Sequence, residues 1–203
     1  MTDQRLPHRL RLLQGLAEVL AGKEYAAVTV SDIVAAAGVS KRTFYEHFES
    51  KQECLLACYA EANGLLVAGL RSQGAGGAAH GAQRLTGLID AYLRFLDESR
   101  ATAAALLVEI TSAGAEGRRV RRETNLELAR VMLEVSNRPP DDPFDLDQAL
   151  ALVGGVTELV LTHAENHPDR PFRELRPAVL KFVGSVLRPA GVTAAAEPAG
   201  AGA

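Results

Sequence analysis

Residues 29–51 read Thr29-Val30-Ser31-Asp32-Ile33-Val34-Ala35-Ala36-Ala37-Gly38-Val39-Ser40-Lys41-Arg42-Thr43-Phe44-Tyr45-Glu46-His47-Phe48-Glu49-Ser50-Lys51. Thr29 has the chemistry of a helix N-cap, and Asp32 stands three residues on, at the capping-box position. Ile33, Val34 and Ala37 then give a short apolar face, and Gly38 suits the left-handed residue that ends a helix. Ser40 caps a second short helix, which carries Phe44 and Phe48 at i, i+4. Two short helices joined by a tight Gly38-Val39 turn have helix-turn-helix spacing. On a helical wheel Phe44 and Phe48 fall within about 40° of each other and must face a core. Arg42, Thr43 and Glu46 take the opposite arc, with Tyr45 and His47 at its flanks. Such a helix suits the major groove: Arg can bond a guanine edge in bidentate fashion, while Thr and Tyr reach phosphates or base edges.

Working outward, the same helical spacing fills almost the whole chain and strand signals are nearly absent. Leu10, Leu13, Ala17 and Leu20 mark a first helix over about 5–21. Ser50 with Glu53 is a second capping box, opening a long helix over about 51–72 with Leu55, Leu56, Tyr59, Leu66 and Leu70 inside. Further helices read as 82–99, 101–113, 116–136, 145–166 and 173–187. The Gly/Ala-rich stretch from Gly74 to Gly81 reads as a seam. It loosely fits a dinucleotide fingerprint, but no strand precedes it, so that match is set aside. Arg138-Pro139-Pro140 is a break, and the segment after Pro189 has the composition of a disordered tail. The fold class expected is therefore all-α. A helix-turn-helix domain occupies 1–52, a helical dimerisation and effector domain 53–188, and a tail 189–203.

This segment resembles the DNA-binding signature of the tetracycline-repressor (TetR) family of transcriptional regulators. The resemblance rests on Thr29-Val30, Ile33, Ala36, Gly38-Val39-Ser40, Thr43-Phe44-Tyr45, His47-Phe48 and Lys51, and covers roughly the first 55 residues. It implies a three-helix DNA-binding domain, and a long fourth helix leading into a helical domain that dimerises and binds a small effector. Carried onto this chain, the DNA contacts it implies are Thr29, Val30, Ser40, Arg42, Thr43, Tyr45, His47 and Lys51, with Lys41 beside them. Lys51, Arg5 and Arg9 are placed to reach the DNA backbone.

Composition bounds the alternatives. The 203 residues are 47% hydrophobic with a formal net charge of −3, too apolar for a disordered chain and too acidic for a protein that coats nucleic acid by bulk charge. Residues 1–52 hold seven Lys/Arg against six Asp/Glu, so DNA binding must rest on a local face, on which Glu46 is an awkward member. No uncharged run reaches about 18 residues, so no membrane span is expected. The N-terminal MTDQRLPHRL lacks the apolar core of a signal peptide, which gives a cytoplasmic reading. Cys54 and Cys58, at i, i+4 on one helix, stand too far apart for an unstrained bridge and read as buried apolar residues. No G-x-S-x-G, G-x-x-x-x-G-K or H-E-x-x-H is present, and no catalytic residue, cofactor or metal site is assigned. His163 and His167 lie at i, i+4 without a third ligand nearby.

Gly154 and Gly155 sit inside an otherwise regular helix, where each costs about 1 kcal/mol relative to Ala. Close helix approach would offset this. The wide stripes of the last two helices suit a four-helix bundle between two subunits. The cluster Arg118, Arg119, Arg121 and Arg122 reads as a solvated face paired with Glu116, Glu123 and Glu127. Polar or aromatic residues on apolar faces are the candidates for the effector pocket: Tyr92, Phe95, Glu109, Thr111, Asn125, Glu158 and His163. The expected function is a regulator that binds a palindromic double-stranded operator as a homodimer, represses, and is released by a small hydrophobic effector, neutral rather than cationic. The alternatives are an activator or ligand-independent DNA-binding protein, and a helical enzyme.

Overall fold

The computed structural model describes residues 7–74, 81–136 and 144–187. Arg5, most of the Gly74–Gly81 seam, the break at 138–140 and the tail from Pro189 lie outside the described residues. Within them all regular structure is helical: α1 (His8–Leu20), α2 (Val30–Ala37), α3 (Lys41–His47), α4 (Lys51–Gly74), α5 (Gly81–Glu98), α6 (Arg100–Ser112), α7 (Gly114–Ser136), α8 (Leu146–Asn166) and α9 (Arg176–Val186). Short 3₁₀ turns at Tyr25–Ala27 and Phe172–Leu175 precede α2 and α9.

Local signals set these boundaries. The Thr29 hydroxyl accepts from the Asp32 amide, the Asp32 carboxylate accepts from the Thr29 amide, and both halves of the capping box are made. Gly38 ends α2 at φ 63°, a conformation in which a Cβ would be strained. The second box differs from expectation. Ser50 Oγ accepts from the Glu53 amide, but the Glu53 carboxylate takes the amide of Glu49 rather than that of Ser50. Asp145 and Gln148 form a full box at the start of α8, which the sequence reading passed over.

Two apolar clusters form the interior. The first joins Leu12, Leu16 and Leu20 of α1, Ile33 and Ala37 of α2, Phe44 and Phe48, the first half of α4 through Cys54, Leu55, Cys58 and Tyr59, and Leu106 and Ile110 of α6. The second is built from the far half of α4 with α5, α7, α8 and α9. Helix α4 belongs to both. It is long and apolar enough over Lys51–Gln73 to cross a membrane by length and composition, a property that counting uncharged runs does not detect. Its buried residues, Cys54, Leu55, Cys58, Tyr59, Leu66, Val67 and Leu70, belong to the two clusters, and α4 packs against α1, α5 and α7, while Leu65 is exposed.

Close backbone crossings fix the layout. A Cβ on Gly15 would stand 2.8 Å from both Ala37 N and Ile33 O, so α1 and α2 meet backbone to backbone there. At the other end a Cβ on Gly155 would stand 2.7 Å from the Phe182 ring, while one on Gly154 would meet nothing within 4 Å. The close approach expected of the glycine pair is thus made by Gly155 alone within the described chain, between α8 and α9. Asp97 accepts from the amides of Phe172 and Arg173 and ties the turn before α9 to α5. The two cysteines are buried free thiols whose pKa values burial pushes up to about 12.

Candidate nucleic-acid interface and inner cavities

Phe44 and Phe48 are buried and pack on each other with ring centroids 5.7 Å apart. Holding that face inward turns the rest of α3 outward. Lys41, Arg42, Tyr45, Glu46 and His47 are exposed, Tyr45 at 59% despite its apolar ring. An aromatic side chain left that open on a seven-residue helix has no packing role beyond an edge contact with Phe44. Ser40 Oγ accepts from the Thr43 amide and lies 3.0 Å from the Thr43 hydroxyl, so both residues are fixed at the first turn. Thr29 and Val30 sit at the start of α2, with Thr29 exposed. Arg9 lies over the Phe48 ring at 5.6 Å.

Glu46 does not stand alone on this face. Its carboxylate accepts from Arg42 Nε at 3.1 Å, one turn back. The pair leaves the terminal nitrogens of Arg42 without a protein partner among the described residues.

Lys51 departs from its expected place at a phosphate. Its ammonium donates to the carbonyls of Tyr25 and Val28 at 2.9 and 2.8 Å, and lies 4.5 Å from the centroid of the Tyr25 ring. It fastens the start of α4 to the turn before α2. Burial raises the Tyr25 pKa to about 12. Lys23 reaches Asp32 at 2.8 Å, and hydrogen bonds from Lys23 and Thr29 hold that carboxyl well below the usual carboxylate range.

The residue that shapes the turn was missed in the sequence. Arg11 is buried, and its Nε and Nη2 donate to the Ala37 carbonyl at 3.1 and 2.8 Å, while Nη2 also reaches the Gly38 carbonyl at 2.7 Å. One guanidinium therefore satisfies the last carbonyls of α2, where the helix leaves acceptors without intrahelical donors. The only local hint is an arginine beside the apolar stripe of α1.

The effector candidates separate into two groups. Tyr92, Phe95 and Asn125 come together around an inner cavity between α4, α5, α6, α7 and α8. Tyr92 also lines an adjoining apolar cavity reaching Val183. Glu109, Thr111, Glu158 and His163 line neither. The Thr111 hydroxyl is exposed and donates to the Val108 carbonyl in its own helix. Glu109 lies near Tyr25, toward the DNA-binding end. Glu158 is exposed and pairs with Arg121. His163 is buried against Phe172, with a ring nitrogen 3.3 Å from the Arg170 carbonyl, and borders an open groove between α8 and α9. Helical periodicity assigned these four to inward faces, but it cannot say which face meets which neighbour. Residues absent from the expected set line the cavities as well: Tyr59, Asn63, Thr124 and Thr157. Of the arginine cluster, Arg119 pairs with Glu116 and Glu123 as expected, whereas Glu127 serves Arg71 and Arg130.

Comparison with known proteins bears on this arrangement. Residues 12–58, which contain Arg11's partners, both capped helices and the start of α4, match the model of the bacterial regulatory proteins of the tetR family. The HTH-type transcriptional activator FasR of Mycolicibacterium smegmatis is 35% identical over 96 residues, a stretch that covers 46% of this chain and 43% of that protein. The chain thus aligns with less than half the length of this curated relative. Two solved structures share the fold over most of their length. The fatty acid degradation regulator FadR from Bacillus halodurans superposes with a TM-score of 0.73 at 21% identity, over 89% of this chain and 96% of that one. FadR from Bacillus subtilis, solved in complex with stearoyl-CoA, gives 0.71 at 20% identity, over 88% and 99%. With its capped helix pair, left-handed Gly38 turn and outward-facing α3, the segment 12–58 has the DNA-binding domain of the tetR family of bacterial regulatory proteins.

Proposed function

We propose that this protein is a DNA-binding transcriptional regulator that occupies a palindromic operator as a homodimer. The observation that carries this reading is the α3 surface: five consecutive-turn side chains held outward by a buried aromatic pair, at the end of a turn locked by Arg11. A single short helix reads only a few base pairs, so specificity calls for two copies on a two-fold site. Leu159 and Val186, large apolar side chains left exposed on α8 and α9, support a pairing surface there. The residues proposed to touch DNA are Thr29, Val30, Ser40, Lys41, Arg42, Thr43, Tyr45 and His47. Lys51 acts behind them by holding the turn before α2.

The effector is a neutral hydrophobic molecule. No charged side chain lines either inner cavity, and an ion there would lose its hydration without gaining a partner. Glu109 and Glu158, the residues that could have favoured a cation, stand elsewhere. The stearoyl-CoA of the Bacillus subtilis structure is consistent with an apolar chain in such an interior. Effector binding favours a dimer whose two reading helices no longer fit successive major grooves, and the shift can be no larger than the effector's differential affinity for the two states. Repression by occlusion is the primary reading. Activation is the second, because FasR carries that description.

The test is selection of binding sites from a random DNA pool, followed by footprinting and sedimentation of the complex. A two-fold symmetric site bound by two chains supports the proposal. A monomer at micromolar concentration, or a site without symmetry, overturns it. Moving the recovered site upstream and downstream of a reporter promoter separates repression from activation.

A further inference from the structure

Between the two domains of chemistry already described, the interior contains a polar cluster that neither helix packing nor DNA binding requires. Tyr59 is buried, Asn63 Nδ2 donates to its backbone carbonyl at 2.7 Å, and Thr124 lines the same cavity. Thr157 donates to Asn125 at 3.4 Å. Tyr92 stands among them with its pKa driven up by burial, and its hydroxyl has no protein partner among the described residues. A core built only for stability would place apolar side chains at such positions, because an interior hydroxyl lacking a partner is costly.

The cluster lies at a junction. On one side, across Tyr92, Leu128 and Thr157, is the apolar chamber whose far wall is Val153, Met132 and Val183. On the other side, Asn63 and Thr124 also line an open surface groove between α4 and α7. The α4 wall of that groove is low, made by Ala60, Gly64 and Ala68. Chamber, cluster and groove therefore follow one another in a row, separated only by side chains that border two spaces at once. Each inner cavity measures only about 50 Å³, and the two adjoin across Tyr92, Leu128 and Thr157, a row of small spaces that a narrow chain could thread more readily than a ring system. At the groove lip Arg71 is already held by Glu127 and Glu134 at 2.6 and 3.0 Å, so an anionic head would have to compete with two carboxylates for one guanidinium.

We propose that the interior takes a single-chain amphiphile that enters between α4 and α7 past Asn63 and Thr124, seats its tail in the Leu70–Val183 chamber and leaves an uncharged hydrogen-bonding head at the Tyr92 cluster. This rests on the interior-effector reading above and adds the route, the shape and the head. Apolar side chains such as Met132 and Leu128 give way to the tail, methionine being the most adaptable core residue. The head takes the hydrogen bond that the Tyr92 hydroxyl lacks.

The experiment measures thermal stabilisation of the full chain and its release from the selected operator, using 1-decanol, decanoyl-CoA and naphthalene as probes. Two variants accompany it. Gly64→Phe fills the groove from an α4 position where an added Cβ meets nothing within 4 Å, and Ala68→Phe does the same one turn on should the first misfold. Tyr92→Phe removes the hydroxyl. Decanol is expected to stabilise and release the wild type and naphthalene to do neither. The groove-filling variant should bind operator normally but need at least tenfold more decanol, and Tyr92→Phe should also weaken the decanol response. A wild-type response in the groove-filling variants overturns the route, and equal potency of naphthalene overturns the linear shape. Action by decanoyl-CoA with decanol inert overturns the uncharged head. If no probe acts on a chain that binds operator, the interior-effector reading itself falls, and this inference with it.

Discussion

Replacing Arg11 by Met should unfasten the helix-turn-helix without touching its outer face. The side chain is buried and makes three hydrogen bonds to two carbonyls, Ala37 at 3.1 and 2.8 Å and Gly38 at 2.7 Å. A hydrogen bond to a charged group contributes about 1.5–3 kcal/mol, so two satisfied acceptors set an upper range of about 3–6 kcal/mol. Two effects reduce it. The buried guanidinium no longer has to be desolvated, and water can reach the exposed Gly38. Met keeps the apolar stem packed. The expected loss is about 2–4 kcal/mol, a sizeable share of a typical domain's stability. Urea unfolding followed by far-UV circular dichroism should show a lower midpoint at unchanged slope. Operator affinity should fall as well, because the freed carbonyls lie in the turn that aims α3. Arg11→Lys keeps the charge but not the fork, and should recover less than half of the loss. A loss under about 1 kcal/mol for Arg11→Met would refute the assignment of the guanidinium as the cap of α2.

Other perturbations divide residues that look alike in sequence. Gly155→Ala should cost about 1–3 kcal/mol by driving a methyl into the Phe182 ring. Gly154→Ala, with open space around it, should gain about 0.5–1 kcal/mol; equal shifts in thermal unfolding would contradict the close approach at 155. Asp32 has a lowered pKa in the fold, so its contribution is present above its unfolded pKa and is lost as pH falls through the folded value. Asp32→Asn should be less stable than wild type at neutral pH, and the gap should close progressively below about pH 4 in acid titrations of stability. Arg42→Ala should relax base preference and cost about 1–3 kcal/mol per half-site in binding assays across operator variants. Lys51→Met should lower stability and leave the salt dependence of DNA binding unaltered, whereas a shallower slope would show that the ammonium meets a phosphate after all.

What could be read in the sequence was whatever is decided within one or two turns. Thr29 with Asp32, Gly38, Ser40 with Thr43, and the Phe44–Phe48 pair are local in chain and in space, and each appears where the spacing put it. The nine helices among the described residues follow from the same periodicity. Long-range pairing was not legible. Arg11 finds carbonyls 26 and 27 residues away, and Lys51 finds others 23 and 26 residues away. No pattern along the chain marks a basic residue as turned inward toward backbone acceptors rather than outward to a ligand. The effector candidates divide for the same reason. Tyr92 and Phe95 of α5 and Asn125 of α7 converge because the two helices present those faces to one another. Glu109 and Thr111, equally plausible on a wheel, face different neighbours.

Helix α4 runs without interruption from Lys51, fastened beneath the reading helix, to Leu70 on the wall of the inner chamber. At about 1.5 Å per residue its 24 residues form a rigid lever roughly 36 Å long. A tilt of about 5° at the chamber end would carry the other end through roughly 3 Å over that length. Such a displacement approaches the rise between successive base pairs. In the proposed dimer, a tilt of that size at the chamber end would put the two copies of α3 out of step with successive grooves.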